Sequence, residues 1–105
     1  MNNRKSEILQ KIKEKVKSID QEAQIVLFGS QARNEETADS DWDILILLPY
    51  VVDRVFERSF RHALIEIELE YGIAISTFVY SEKTWHTRHQ VTPFYKSVEQ
   101  EGILL

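Results

Sequence analysis

Two short apolar runs bracket a polar turn, and the second run is opened by a pair of carboxylates. The first run is Ile25-Val26-Leu27-Phe28; the second, Ile44-Leu45-Ile46-Leu47-Leu48, follows Asp41-Trp42-Asp43. Runs this short and this apolar read as buried strands. Between them lies Gly29-Ser30-Gln31-Ala32-Arg33. One strand therefore ends in a small-residue turn and the next begins with the aspartates. Side chains alternate between faces of a strand, so Asp41 and Asp43 share a face and Trp42 points to the other. Two carboxylates beside a turn with free backbone N–H groups form a plan for a divalent cation holding a phosphate chain.

The flanking segments supply helices. Ile8, Ile12, Val16 and Ile19 recur at helical spacing within residues 4–19, and Lys5, Lys11, Lys13, Lys15 and Lys17 fall mostly on the other sides. Because Glu7 and Glu14 are interspersed, those lysines read as a solvated face. Residues 52–71 carry a broad apolar stripe, with Gly72 placed to close the helix in the left-handed conformation. Residues 73–80, rich in β-branched and aromatic types, predict a third strand. A helical stretch follows from Glu82 to about His89, then a last helix with Pro93 in its first turn and Gly102 at its end. The order predicts one domain spanning 1–105, of α/β (α+β) type: a small mixed sheet of three or four strands flanked by helices. The connection between the first two strands is short for a parallel crossover, so those two should run antiparallel.

Composition narrows the function classes. A net charge of −4 argues against general nucleic-acid binding. The absence of cysteine excludes disulfides and thiolate zinc sites. No apolar run approaches a membrane span, and the N-terminus lacks the apolar core of a signal peptide, so a cytoplasmic location is expected.

Each residue of the turn has a chemical use. Gly29 permits a sharp turn and close approach of a ligand. Ser30 offers a hydroxyl and a backbone N–H at a helix start, which suits a phosphate. Arg33 adds a cation for the nucleotide or pairs with an acid. Asp41 and Asp43 would hold Mg²⁺, which bridges to phosphates and neutralises developing charge.

Gly29-Ser30-x-Ala32-Arg33, followed by Ser40-Asp41-x-Asp43 and an apolar strand, resembles the signature of the minimal nucleotidyltransferases of the DNA polymerase beta-like nucleotidyltransferase superfamily. The ending Tyr95-x-x-Val98-x-x-Glu101-Gly102 resembles stand-alone bacterial members. The resemblance implies the nucleotidyltransferase fold, and transfer of a nucleoside monophosphate, usually AMP from ATP, to an acceptor hydroxyl. It implies Gly29 and Ser30 at the triphosphate and Asp41 and Asp43 as catalytic metal ligands for Mg²⁺, with Arg33, by its charge, a candidate nucleotide-binding residue or an ion-pair partner. It also implies an antitoxin whose partner is an all-helical HEPN ribonuclease toxin. Two positions depart from the pattern. Asn34 stands where Gly is common, and Asn tolerates the left-handed conformation well. Active members carry a third carboxylate on the next strand, whereas residues 73–80 contain none, and Ser76 aligns with that position. Serine is a poor base, so catalysis is expected to be weak, or the chain to act by binding alone, unless Glu68, Glu70 or a partner residue fills the gap.

His86 and His89 read as surface residues rather than metal ligands, since no third ligand lies beside them in sequence. Trp42, Tyr80 and Trp85 read as packing residues.

Overall fold

Ile8, Ile12 and Val16 are fully buried along one side of α1 (Asn3–Ile19) in the computed structural model, which describes residues 3–88 and 90–105. The other elements are β1 (Gln24–Phe28), α2 (Ser30–Arg33), β2 (Trp42–Leu48), α3 (Arg54–Tyr71), β3 (Ile75–Ser81), α4 (Glu82–Arg88), α5 (Pro93–Glu101) and β4 (Ile103–Leu104). They form a four-stranded sheet in the order β3-β2-β1-β4. β1 runs antiparallel to β2, placing Phe28 opposite Asp43, as the short connection predicts. β2 and β3 are parallel, placing Asp43 opposite Ser76. The fourth strand is the chain's tail, antiparallel to β1 through Val26–Leu104 and Leu27–Ile103. The sheet is therefore mixed, with helices on both faces.

Local chemistry sets the boundaries. α3 starts at Arg54 rather than residue 52 because the Asp53 carboxylate accepts from the Phe56 N–H at 2.8 Å, capping the helix. The third strand starts at Ile75 rather than residue 73. Gly72, at φ 64°, and Ile73 both donate their N–H groups back to Glu68 O, which wraps the chain around the helix end. α5 has Pro93 in its first turn, and Thr92 caps it by accepting from Tyr95 N–H.

β2 is buried on both faces, which explains its continuous apolar run. Ile44, Ile46 and Leu48 face α1 and α3, joining Ile8, Ile12, Val16, Phe60 and Leu64 in one core. Leu45 and Leu47 face α4 and α5, joining Phe28, Trp85 and Val98 in a second. Trp42 belongs to the first core, away from the aspartates, as alternation requires. Tyr80 stacks on Trp85 at 5.9 Å between ring centroids, a packing role for both. Among the described residues, no helix is long and apolar enough to cross a membrane.

Candidate active site

The start of β2 and the turn after β1 meet because antiparallel pairing sets Phe28 beside Asp43. Gly29 follows at φ 75°, ψ −158°, a region open essentially to glycine alone. A Cβ at Gly29 would lie 2.1 Å from Asp43 Oδ2, so only a residue without a side chain allows this approach. The turn continues into the four residues of α2, whose start has no side-chain cap. Ala32 and Arg33 donate their N–H groups to Gly29 O at 3.0 and 3.2 Å. The N–H groups of Ser30 and Gln31 precede the first helical carbonyl partners. Asn34 ends the helix at φ 57°, adopting the left-handed conformation that its identity suggested.

Asp41 and Asp43 interact as the alternation predicts. Burial pushes the Asp43 carboxyl above its ordinary range, the neighbouring Asp41 charge pushes it further, and Arg33 pulls it partly back. A site that disfavours two adjacent negative charges is one that a cation relieves. Ser76 also lies here, opposite Asp43 in the parallel ladder, and its hydroxyl donates to Asp41 Oδ2 at 3.2 Å. Two carboxylates and a hydroxyl, packed against a turn that admits no side chain at Gly29, make an all-oxygen donor set. Such a set fits Mg²⁺, which typically takes one or two carboxylates and completes its shell with phosphate oxygens and water. No group of three or more His, Cys, Asp or Glu side chains suited to a metal occurs among the described residues. The other acids of α3 are engaged elsewhere: Glu68 Oε2 accepts from Ile75 N–H at 2.9 Å, and Glu70 pairs with Lys11 at 3.0 Å.

Arg33 makes ion pairs within the fold. Its guanidinium pairs with Glu101 at the end of α5 at 2.8 Å and with Glu35 at 3.5 Å, tying the motif helix to the last helix. Lys5 is a residue that the sequence reading placed on a solvated face. Instead its ammonium donates to Gln31 O at 2.7 Å, Asn34 Oδ1 at 3.1 Å and Glu36 Oε1 at 2.8 Å, anchoring the motif turn to α1. Both contacts join residues far apart in the chain, and no local pattern announces them. His86 is exposed and lies 2.9 Å from the Tyr95 hydroxyl, on the α4–α5 side; His89 lies outside the described residues.

The comparisons with known proteins agree with this geometry. The family model for the nucleotidyltransferase domain matches residues 9–105. The "Putative protein adenylyltransferase" of Methanocaldococcus jannaschii is 35% identical over 81 residues, covering 77% of this chain and 75% of that protein. Two solved structures share the fold. One is a toxin-antitoxin crystal structure with AMP-PNP, at TM-score 0.66 and 17% identity, covering 90% of this chain and 69% of that one. The other is a mutant of the toxin-antitoxin MntA-HpeT, at TM-score 0.65 and 16% identity, with the same coverage. With a family match over nearly its whole length and Gly29 pressed against the paired aspartates, the chain belongs to the nucleotidyltransferase domain family.

Proposed function

We propose that the chain binds Mg-ATP through Gly29, Ser30, Asp41 and Asp43 and transfers AMP to a hydroxyl of a partner protein. The partner would be a helical HEPN-type toxin that this chain neutralises in the cytoplasm. The observation that carries the reading is the approach of Gly29 to Asp43 with Asp41 alongside. The relative named for protein adenylylation and the toxin-antitoxin structure with AMP-PNP support the choice of nucleotide, acceptor and partner.

Asp41 and Asp43 would hold the metal, and the turn at Gly29 and Ser30 would receive the phosphates. Bound Mg²⁺ supplies charge neutralisation at the transferred phosphoryl group and the pyrophosphate. Transfer joins the acceptor oxygen to the α-phosphorus, breaks its bond to the bridging oxygen, and requires an acceptor for the hydroxyl proton. Ser76 does not serve as that base, since a neutral hydroxyl already donating to Asp41 has little proton affinity. This favours a second reading, in which the chain retains nucleotide binding, transfers slowly or not at all, and neutralises its partner by contact.

Intact-mass spectrometry separates the two. The chain is incubated with ATP, Mg²⁺ and a candidate helical partner, sought first in the neighbouring reading frame. The enzyme reading expects a gain of one AMP on the partner that is lost in Asp43→Asn. A tight complex with no mass gain selects the contact reading. Ser76→Asp should accelerate transfer, by less than the about 10²–10⁴-fold typical of a well-placed base, because the pocket is shaped around serine.

A further inference from the structure

We propose that the open edge of β3 is a docking site for an extended, acidic polypeptide segment, which adds to the sheet as a further strand. β3 terminates the sheet, so among the described residues its outer backbone N–H and C=O groups have no neighbouring strand. Exposed edges are ordinarily blunted by charge, proline, a bulge or shortness. β3 shows neither charge, proline nor shortness: Ile75-Ser76-Thr77-Phe78-Val79-Tyr80-Ser81 is seven residues long, without a charged residue, proline or glycine. The opposite edge, β4, is only two residues long.

A cleft of about 270 Å³ lies along the C-terminal half of β3. Phe78, Val79, Tyr80 and Ser81 all line it. Consecutive residues point to opposite faces, so a cavity lined by all four faces the strand's edge rather than either face of the sheet. Val51, 90% exposed, supplies an apolar wall, and Arg61 and Glu57, paired with each other at 2.8 Å, a polar one.

Charge names the occupant. Arg54, Arg58 and Arg61 recur at helical spacing on the N-terminal half of α3, where like charges at these separations repel one another. Arg54 also sits in the first turn, where a cation opposes the helix dipole. Arg61 pairs with Glu57 at 2.8 Å, but among the described residues Arg54 and Arg58 have no ion-pair partner. In contrast, Glu66 and Glu70 near the other end of the helix pair with Lys15 and Lys11 of α1. Arg54 and Arg58 thus add nothing to the helix, and beside the paired Arg61 and Glu57 they leave a cationic rim on a groove that adjoins the cleft, in a chain of net charge −4. A second copy of this chain pairing edge to edge would bring two such rims together. A nucleic acid would match the charge but not the row of strand N–H and C=O groups or the apolar wall. The site lies at the far end of β3 from the aspartates: Ser81 is about 16 Å along the strand from Ser76, at ~3.3 Å per residue. The surface therefore stands independently of the nucleotide reading.

The test uses the full chain and three hexapeptides of alternating residues: Glu with Val, Lys with Val, and the Glu–Val peptide N-methylated at alternate positions. Amide spectra and hydrogen exchange report the site. The Glu–Val peptide should shift Phe78–Ser81 and slow their exchange. Its affinity should fall at least tenfold on N-methylation, in the Lys–Val version, and in the double variant Arg54→Glu/Arg58→Glu. That variant must keep the wild-type thermal midpoint, which is expected for exposed side chains. Absence of shifts on β3, equal affinity for the N-methylated peptide, or equal affinity for the lysine peptide overturns the proposal. So does concentration-dependent dimerisation through this edge in sedimentation, or tighter arginine-dependent binding of a single-stranded RNA hexamer.

Discussion

The two faces of the sheet are built from different materials. The face under α1 and α3 is largely aliphatic, with Ile8, Ile12, Val16, Ile44, Ile46 and Leu64 almost wholly buried. The face under α4 and α5 is largely aromatic: Phe28, Phe78 and Phe94 meet pairwise at 5.4–5.7 Å, and Trp85 packs on Phe94 and Tyr95. Alternation along β2 puts the aspartates on the second face, at the end of its aromatic cluster. The first face buries apolar surface almost throughout, with Thr77 a buried polar exception. The second gives up burial at one end, where two carboxylates, Gly29 and Ser76 meet at the site proposed above for Mg-ATP. Division of the sheet into a stabilising face and a functional face means that substitutions on the two should separate stability from binding.

The largest effect expected on stability comes from the aliphatic face. Ile46→Ala removes a fully buried side chain from a strand covered on both sides and should cost about 2–5 kcal/mol in urea unfolding. If it instead weakens Mg-ATP binding with stability intact, the division fails. Gly29→Ala should act on both properties. A side chain at φ 75° is strained, about 1–3 kcal/mol by the usual cost of such conformations, and its Cβ would collide with Asp43. Titration calorimetry should then find Mg-ATP binding lost.

Asp43→Asn should show the opposite sign for stability. Folding raises this carboxyl's pKa, so the folded state favours its protonated form. Below the unfolded pKa, ~3.9 for Asp, the folded state suffers no penalty. As pH rises through the raised folded value, the ionised group destabilises the fold. In the absence of divalent cation, Asp43→Asn should therefore be more stable than wild type at neutral pH, and the difference should close on acidification below that range. Mg²⁺ should stabilise wild type more than Asp43→Asn, by about 2.7 kcal/mol at a hundred times its Kd if it binds only the folded state. Equal thermal shifts with Mg²⁺ would remove Asp43 from the metal site.

The smallest effect is expected at Arg33. Exposed ion pairs contribute little, so Arg33→Gln should leave the unfolding midpoint within error. The informative readout of this variant is nucleotide affinity. A change under twofold identifies Arg33 as a tether to Glu101, and a loss of tenfold or more places its guanidinium on the nucleotide as well.

Sequence alone determined what depends on near neighbours. The period of Ile8, Ile12 and Val16, the left-handed positions at Asn34 and Gly72, Pro93 in a first turn, and the shared face of Asp41 and Asp43 all follow from backbone geometry within a few residues. The short connection between the first two strands was enough to choose their antiparallel pairing. Tertiary structure decided the rest. The tail's pairing as β4, the Ser76 hydroxyl on Asp41, the Arg33–Glu101 tether and the Lys5 anchor join residues from 26 to 78 positions apart. Each rests on a few polar contacts, and a single lysine or serine looks the same in a sequence whether it meets water or a distant partner. Periodic burial repeats its signal every turn or every second residue, so it can be read from the chain; a solitary long-range contact leaves no repeat to read.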